Sequence, residues 1–122
     1  MKQQSGFTLI ELIMVIVVLA ALAVTAIPRY VNLQAQAITG ALNGVAGSLA
    51  SGTAINFAAC AAGGACLPMA NCTNAADALV GSAVPAGYLI TPAALGASGT
   101  ITTCTLTHSA SSQTTTFSAI AP

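Results

Sequence analysis

The stretch that decides how this chain is built is FTLIELIMVIVVLAALAVTAI, residues 7–27. Only Thr8, Glu11 and Thr25 interrupt its apolar run. As a helix these residues would extend about 32 Å, enough to cross a hydrocarbon core of about 30 Å once. Met1 to Gly6 precedes the run as a short polar segment with one cation, Lys2, and Arg29 follows it. One cation on each side is a weak orientation signal. A secretory signal peptide has a shorter apolar centre and a cleavage site behind it. Here the run continues without a break into further helical sequence from Tyr30. Glu11 is the unusual residue, because a carboxylate within the bilayer costs about 3 kcal/mol on insertion scales and is retained for a use.

The rest of the composition agrees with a chain that is not an ordinary soluble domain. Its 122 residues are 56% hydrophobic and 3% charged, the four charges being Lys2, Glu11, Arg29 and Asp77. A typical soluble domain carries roughly 25% charged residues. So few charges point to a life in a membrane, in an assembly, or in both. Net charge is zero and no basic run exists, which argues against direct nucleic-acid binding. One His, one Asp and one Glu, far apart in sequence, leave little for a catalytic constellation. The expectation is a protein that is not an enzyme and takes no cofactor. There are no internal repeats, and the glycines form neither a dinucleotide nor a phosphate-loop pattern.

The run Gly6-Phe7-Thr8-Leu9-Ile10-Glu11-Leu12-Ile13, its apolar continuation and Pro28 resemble the start of a type IV pilin precursor. The resemblance covers about the first 30 residues. It implies that Gly6–Phe7 is the bond cut by a prepilin peptidase on the cytoplasmic side and that Phe7 becomes the methylated amino terminus. It also implies that residues 7–28 remain as membrane anchor and later filament core, and that Glu11 guides assembly. Physics makes the last role sensible. The freed Phe7 amine, with a pKa near 8 in water, lies one helical turn from Glu11. Such a pair, within one subunit or between neighbours, is worth about 4 kcal/mol at an effective dielectric of 20. Pro28 lacks an amide donor and clashes with the Val24 carbonyl. This predicts a kink or a locally extended segment around Ala23–Pro28 in the filament.

From Tyr30 to about Phe57 the helix continues. Ile38, Leu42, Val45 and Leu49 fall within about 60° of one another and form the stripe expected to pack on a globular part. Gly40, Gly44, Gly47 and Ser51 form a second stripe roughly opposite. Each helical glycine costs about 1 kcal/mol relative to alanine. Close helix–helix approach and a flexible or partly broken helix both account for the stripe. A helix from Phe7 to Phe57 would be about 76 Å long, which suits a subunit whose tail threads a fibre.

Ala58–Asn74 reads as a loop with Cys60, Cys66 and Cys72, and Cys104 lies in a later strand. Four cysteines in an exported chain predict two disulfides in one of three pairings. Cys60–Cys66 with Cys72–Cys104 is the expected one, and the other two stay open. Spacing and an oxidising compartment both disfavour a metal site. Thr73 is a candidate cap for a short helix through Leu79, and Thr91-Pro92 for a single turn ending at Gly96. Tyr88–Thr91, Ile101–His108 and Thr114–Ile120 are strand candidates, with Ser109–Gln113 as a turn. Eleven of the seventeen residues from Thr100 to Thr116 are Ser or Thr. Strand propensity explains them, and O-glycosylation is the functional alternative. Asn71-Cys72-Thr73 matches the N-glycosylation pattern by chance.

The expected fold is α+β: a long N-terminal helix, its apolar half protruding and its second half packed on an antiparallel sheet of three or four strands. The expected organisation is a leader at 1–6, a transmembrane and filament-core helix at 7–28, and a periplasmic then extracellular domain at 29–122. The resemblance implies a homopolymer subunit whose other partners are the prepilin peptidase, membrane lipid before assembly and the inner-membrane pilus assembly machinery. It would pass from the bacterial inner membrane to a filament on the cell surface. A major pilin serving adhesion, motility or DNA uptake is one reading, and a minor pilin or type II secretion pseudopilin the other. A single-pass enzyme or sensor would need an outer catalytic or ligand group. A secreted protein would lose residues 7–27 from its mature form.

Overall fold

The structure, a computed structural model, describes residues 6–122. The leader residues 1–5, Lys2 among them, lie outside the described residues. The chain divides into two compact units, Met1–Gln36 and Ala37–Pro122. Helix α1, Leu9–Ala61, contributes to both. Its helical assignment is unbroken at Pro28. The loosening expected of this segment concerns the filament. In the single subunit the proline removes one donor and the helix continues.

In the second unit α1 buries Leu42, Ala46, Leu49, Thr53 and Asn56. Their alternating steps of four and three residues are the signature of one helical face. Of the expected stripe, Leu42 and Leu49 are buried, while Ile38 and Val45 pack at its margin. The face meets a three-stranded antiparallel sheet in the order β1-β2-β3, made of Tyr88–Ile90, Ile101–His108 and Thr114–Ile120. Cys104 pairs with Phe117 and Leu106 with Thr115 across the β2–β3 ladder. Cys104, Leu106, Phe117 and Ala119 are buried in the same core as Leu42, Ala46 and Leu49. The opposite face carries Thr103–Ser118, Thr105–Thr116 and Thr107–Thr114 as cross-strand pairs. This alternation places the Ser/Thr-rich sequence on a hydroxyl-bearing outer face, where β-branched residues favour the strand.

Side-chain hydrogen bonds tie α1 to the sheet. The Thr115 hydroxyl donates to Asn43 Oδ1 at 3.0 Å. The Thr53 hydroxyl donates to the Ala50 carbonyl at 3.0 Å and accepts from the Ile120 amide at 3.4 Å. Two disulfides close the fold, Cys60–Cys66 and Cys72–Cys104, as expected.

Three local expectations are corrected. The loop does not begin at Ala58: α1 runs to Ala61, so Cys60 stands in its last turn. The short helix is a 3-10 helix, Cys72–Ala78, and Asn71 rather than Thr73 caps it. Thr91-Pro92 starts no helical turn. Backbone bonds from Cys72 to the Ala93 carbonyl (2.8 Å) and from Leu95 to the Ala70 carbonyl (3.0 Å) hold the segment extended beside 70–72. A helical turn there would forfeit both bonds.

Candidate functional site

The residues with chemistry to offer lie at the start of α1. Gly6, Phe7 and Thr8 precede the helix and are exposed. The Gly6–Phe7 bond lies in accessible, non-helical chain. Among the described residues nothing stands where a side chain at Gly6 would be, and Phe7 is 89% exposed.

Thr8 and Glu11 form a reciprocal cap on the first turn. The Thr8 amide and hydroxyl both donate to Glu11 Oε2, at 2.9 and 2.8 Å. Thr8 Oγ1 accepts from the Glu11 amide at 3.3 Å. The Thr8 carbonyl takes the Leu12 amide at 3.2 Å, starting the helical ladder. Ser/Thr at the cap with Glu three residues on satisfies otherwise orphaned donors. The acid therefore helps to start the helix in addition to any part in assembly. Thr8 was absent from the residues singled out by sequence, although Thr8-Leu9-Ile10-Glu11 carries the signal.

Behind this cap α1 shows an apolar surface with no partner among the described residues. Leu9, Ile10, Leu12, Met14, Val15, Val17, Val18 and Leu19 are all exposed, and so are Leu22, Val24 and Ile27. Soluble monomers do not sustain contiguous apolar patches of this kind. Near the end of the run Thr25 donates its hydroxyl to the Leu22 carbonyl at 2.9 Å, which satisfies it without water. Among the described residues α1 is long and apolar enough to cross a membrane. Arg29 follows the run and is exposed.

The remaining site residues lie elsewhere. The four cysteines serve as bridges in the second unit. His108 ends β2, where Nδ1 meets Ser111 Oγ at 2.9 Å and the ring stands edge-on to Tyr88. Sequence reasoning also missed Asn56. Its side chain donates to the Leu67 carbonyl (2.9 Å) and accepts from the Leu67 amide (2.7 Å), clamping the Cys60–Cys66 loop to α1.

Residues 1–27 match the family model of the prokaryotic N-terminal methylation motif, the leader signature of type IV pilins and pseudopilins. The match ends at the last residue of the apolar run. No curated protein and no solved structure matches the chain. The motif and the exposed apolar helix together support a membrane-anchored precursor of pilin or pseudopilin type.

Proposed function

We propose that this protein is the precursor of a structural subunit of a type IV pilus-like filament, of the major-pilin kind. The methylation motif at residues 1–27 is the observation that carries this reading. Prepilin peptidase cuts Gly6–Phe7, residues 1–6 leave, and Phe7 is N-methylated. Residues 7–28 hold the subunit in the inner membrane until the assembly machinery extracts it. Residues 29–122 fold outside, first in the periplasm and then on the filament surface.

Apolar burial drives the transfer from lipid to fibre only weakly, because both surroundings are apolar. Placement therefore falls to the polar groups. The new Phe7 amine and the Glu11 carboxylate attract each other by about 4 kcal/mol at 4 Å and an effective dielectric of 20. That offsets the roughly 3 kcal/mol of holding an acid in an apolar layer. Pro28 supplies a kink that lets the anchor settle among neighbouring helices. The second reading, a minor pilin or type II secretion pseudopilin, shares every processing step.

The test is the intact mass of the protein from sheared surface filaments, with and without reductant. A dominant species beginning at Phe7 and one methyl heavier is expected. A reductant-dependent gain of four hydrogens would report the two disulfides. Correct processing with the protein confined to the membrane would transfer the assignment to the minor or secretion type. A mature chain that begins after Ile27 would overturn the filament reading.

A further inference from the structure

We propose that the outer edge of β3 docks β3 of a second copy, paired antiparallel about Thr116, and that this contact joins one filament to another. The proposal rests on the filament reading and adds to it a contact between filaments. β3 closes one side of the sheet. Two backbone bonds fix which of its groups face β2. The His108 amide donates to the Gln113 carbonyl at 2.8 Å, and the Ala121 amide to the Thr100 carbonyl at 3.0 Å. Antiparallel strands alternate bonded and non-bonded pairs. Between these two ends the bonded pairs are therefore Leu106–Thr115, Cys104–Phe117 and Thr102–Ala119. Thr114, Thr116, Ser118 and Ile120 turn their N–H and C=O groups away from β2. The Ile120 amide is taken by the Thr53 hydroxyl at 3.4 Å. The backbone groups of Thr114, Thr116 and Ser118 have no partner among the described residues.

An open row of this kind is a template for another strand, and proteins guard it with lysine, proline, a bulge or a short strand. β1, at the other side of the sheet, is guarded. It has 3 residues, and its Tyr88 amide donates to the Pro85 carbonyl at 3.2 Å. β3 has 7 residues, TTTFSAI, with no charge and no proline, and it pairs with β2 without a break in register. Thr114, Thr116 and Ser118 are exposed. Beside this edge α1 offers little bulk. Asn43, which reaches Thr115, shares its side of the helix with Gly47, Ala50 and Ala54, all within about 40° of it.

The open window is its own complement. With Thr116 opposite Thr116, Thr114 meets Ser118 and Ser118 meets Thr114. Every free residue then faces a free residue, and each pair exchanges two N–H···O=C bonds. The window ends at Thr114 on the turn side and at Ser118 on the other, where Thr53 takes the next amide. No charge on the strand repels its copy, and hydroxyl side chains meet hydroxyl side chains. Such a contact is two-fold. Copies within one filament all point the same way, so a two-fold contact joins copies of two filaments lying in opposite directions. One contact is small, but a filament repeats it, and linked contacts reinforce one another.

The experiment uses the full chain as the sole copy in cells, with sheared filaments as the material. Unaltered filaments are expected to associate side by side and to sediment at low speed. Thr116→Lys should lower the sedimenting fraction at least tenfold with filament yield unchanged. Thr103→Lys, which adds the same charge on the central strand, should leave that fraction within twofold. Paired residues of this kind have Cα atoms about 5.5 Å apart, within disulfide reach. Oxidised Thr116→Cys filaments should therefore give a covalent dimer and nothing larger on a non-reducing gel, and Thr103→Cys filaments should give none. The lysine arm decides the matter if the cysteine variants assemble poorly. Single unaltered filaments without a Thr116→Cys dimer, equal dispersal by both lysines, or equal dimer from both cysteines would overturn the pairing. Loss of filament yield in Thr116→Lys would place a neighbour of the same filament on this edge, and a Thr116→Cys adduct with a different protein would place a foreign strand there. Either result would overturn the contact between filaments. Absence of filaments from the unaltered chain would overturn the filament reading itself, and the contact with it.

Discussion

Asn56 is a buried amide on the core face of α1, 7% exposed. Its two bonds to Leu67 satisfy a backbone donor and acceptor that the Cys60–Cys66 loop otherwise leaves unpaired. Leucine at this position would fill a similar volume and strand both groups. Stranded buried polar groups cost about 1–3 kcal/mol. Asn56→Leu should therefore lower the unfolding midpoint of the full chain in detergent, and an unchanged midpoint would show that water replaces the amide. Asn71 shows how such contacts escape a sequence reading. Asn71 and Thr73 are both good capping residues, and the local pattern does not rank them. Asn71 wins because its Oδ1 also accepts from the Ala93 amide, 3.0 Å away across the fold. The residue types of the glycosylation pattern are thus those of a helix cap. The first turn of α1 is the opposite case. There the Thr8–Glu11 partners are three residues apart and the contact is fully local.

At the scale of elements, two glycines of α1 separate folding from assembly. An added Cβ at Gly52 meets the Ala78 side chain at 3.1 Å and its carbonyl at 3.2 Å, where the 3-10 helix crosses α1. Gly52→Ala is expected to destabilise by about 1–3 kcal/mol through overpacking. At Gly44 an added Cβ meets nothing. Gly44→Ala should gain up to about 1 kcal/mol of helix stability, measured by thermal unfolding. Gly44→Leu should fold equally well yet fail to build filaments, if the small-residue stripe serves close helix approach. Normal filaments from that variant would assign the stripe to no contact.

The α1 core stripe and the limits of β2 and β3 were legible because each follows from a period of 3.6 or 2 within one segment. The C-terminal end of α1 and the extended run at 93–95 were not. The run at 93–95 bonds to residues 70–72, more than twenty residues away, and α1 continues to Ala61 through sequence that reads as loop. The second bridge joins the 3-10 helix to β2 across 32 residues. Replacing both of its cysteines with alanine should cost about 2–5 kcal/mol. The check is denaturation midpoint, with Cys60–Cys66 left intact.

For the whole molecule, the decisive question is what Glu11 contributes beyond capping its own helix. Glutamine separates the two roles. Its carbonyl oxygen can still accept from the Thr8 amide and hydroxyl, so the first turn keeps its cap, while the charge disappears. Removing the acid also lowers the cost of membrane insertion by up to about 3 kcal/mol, so Glu11→Gln should enter the membrane at least as well as the native chain. The Gly6–Phe7 bond lies outside the helix and should still be cut. If charge pairing places the subunit, the yield of sheared filaments must nevertheless fall more than tenfold, a loss of at least about 1.4 kcal/mol and well within the 4 kcal/mol available to an amine–carboxylate pair. Processed protein should then accumulate in the membrane fraction at the mass of the mature chain. Normal filament yield from Glu11→Gln, beside a loss in Glu11→Ala, would assign the residue to helix capping alone. The fibre would then have to take its register from the apolar and small-residue faces.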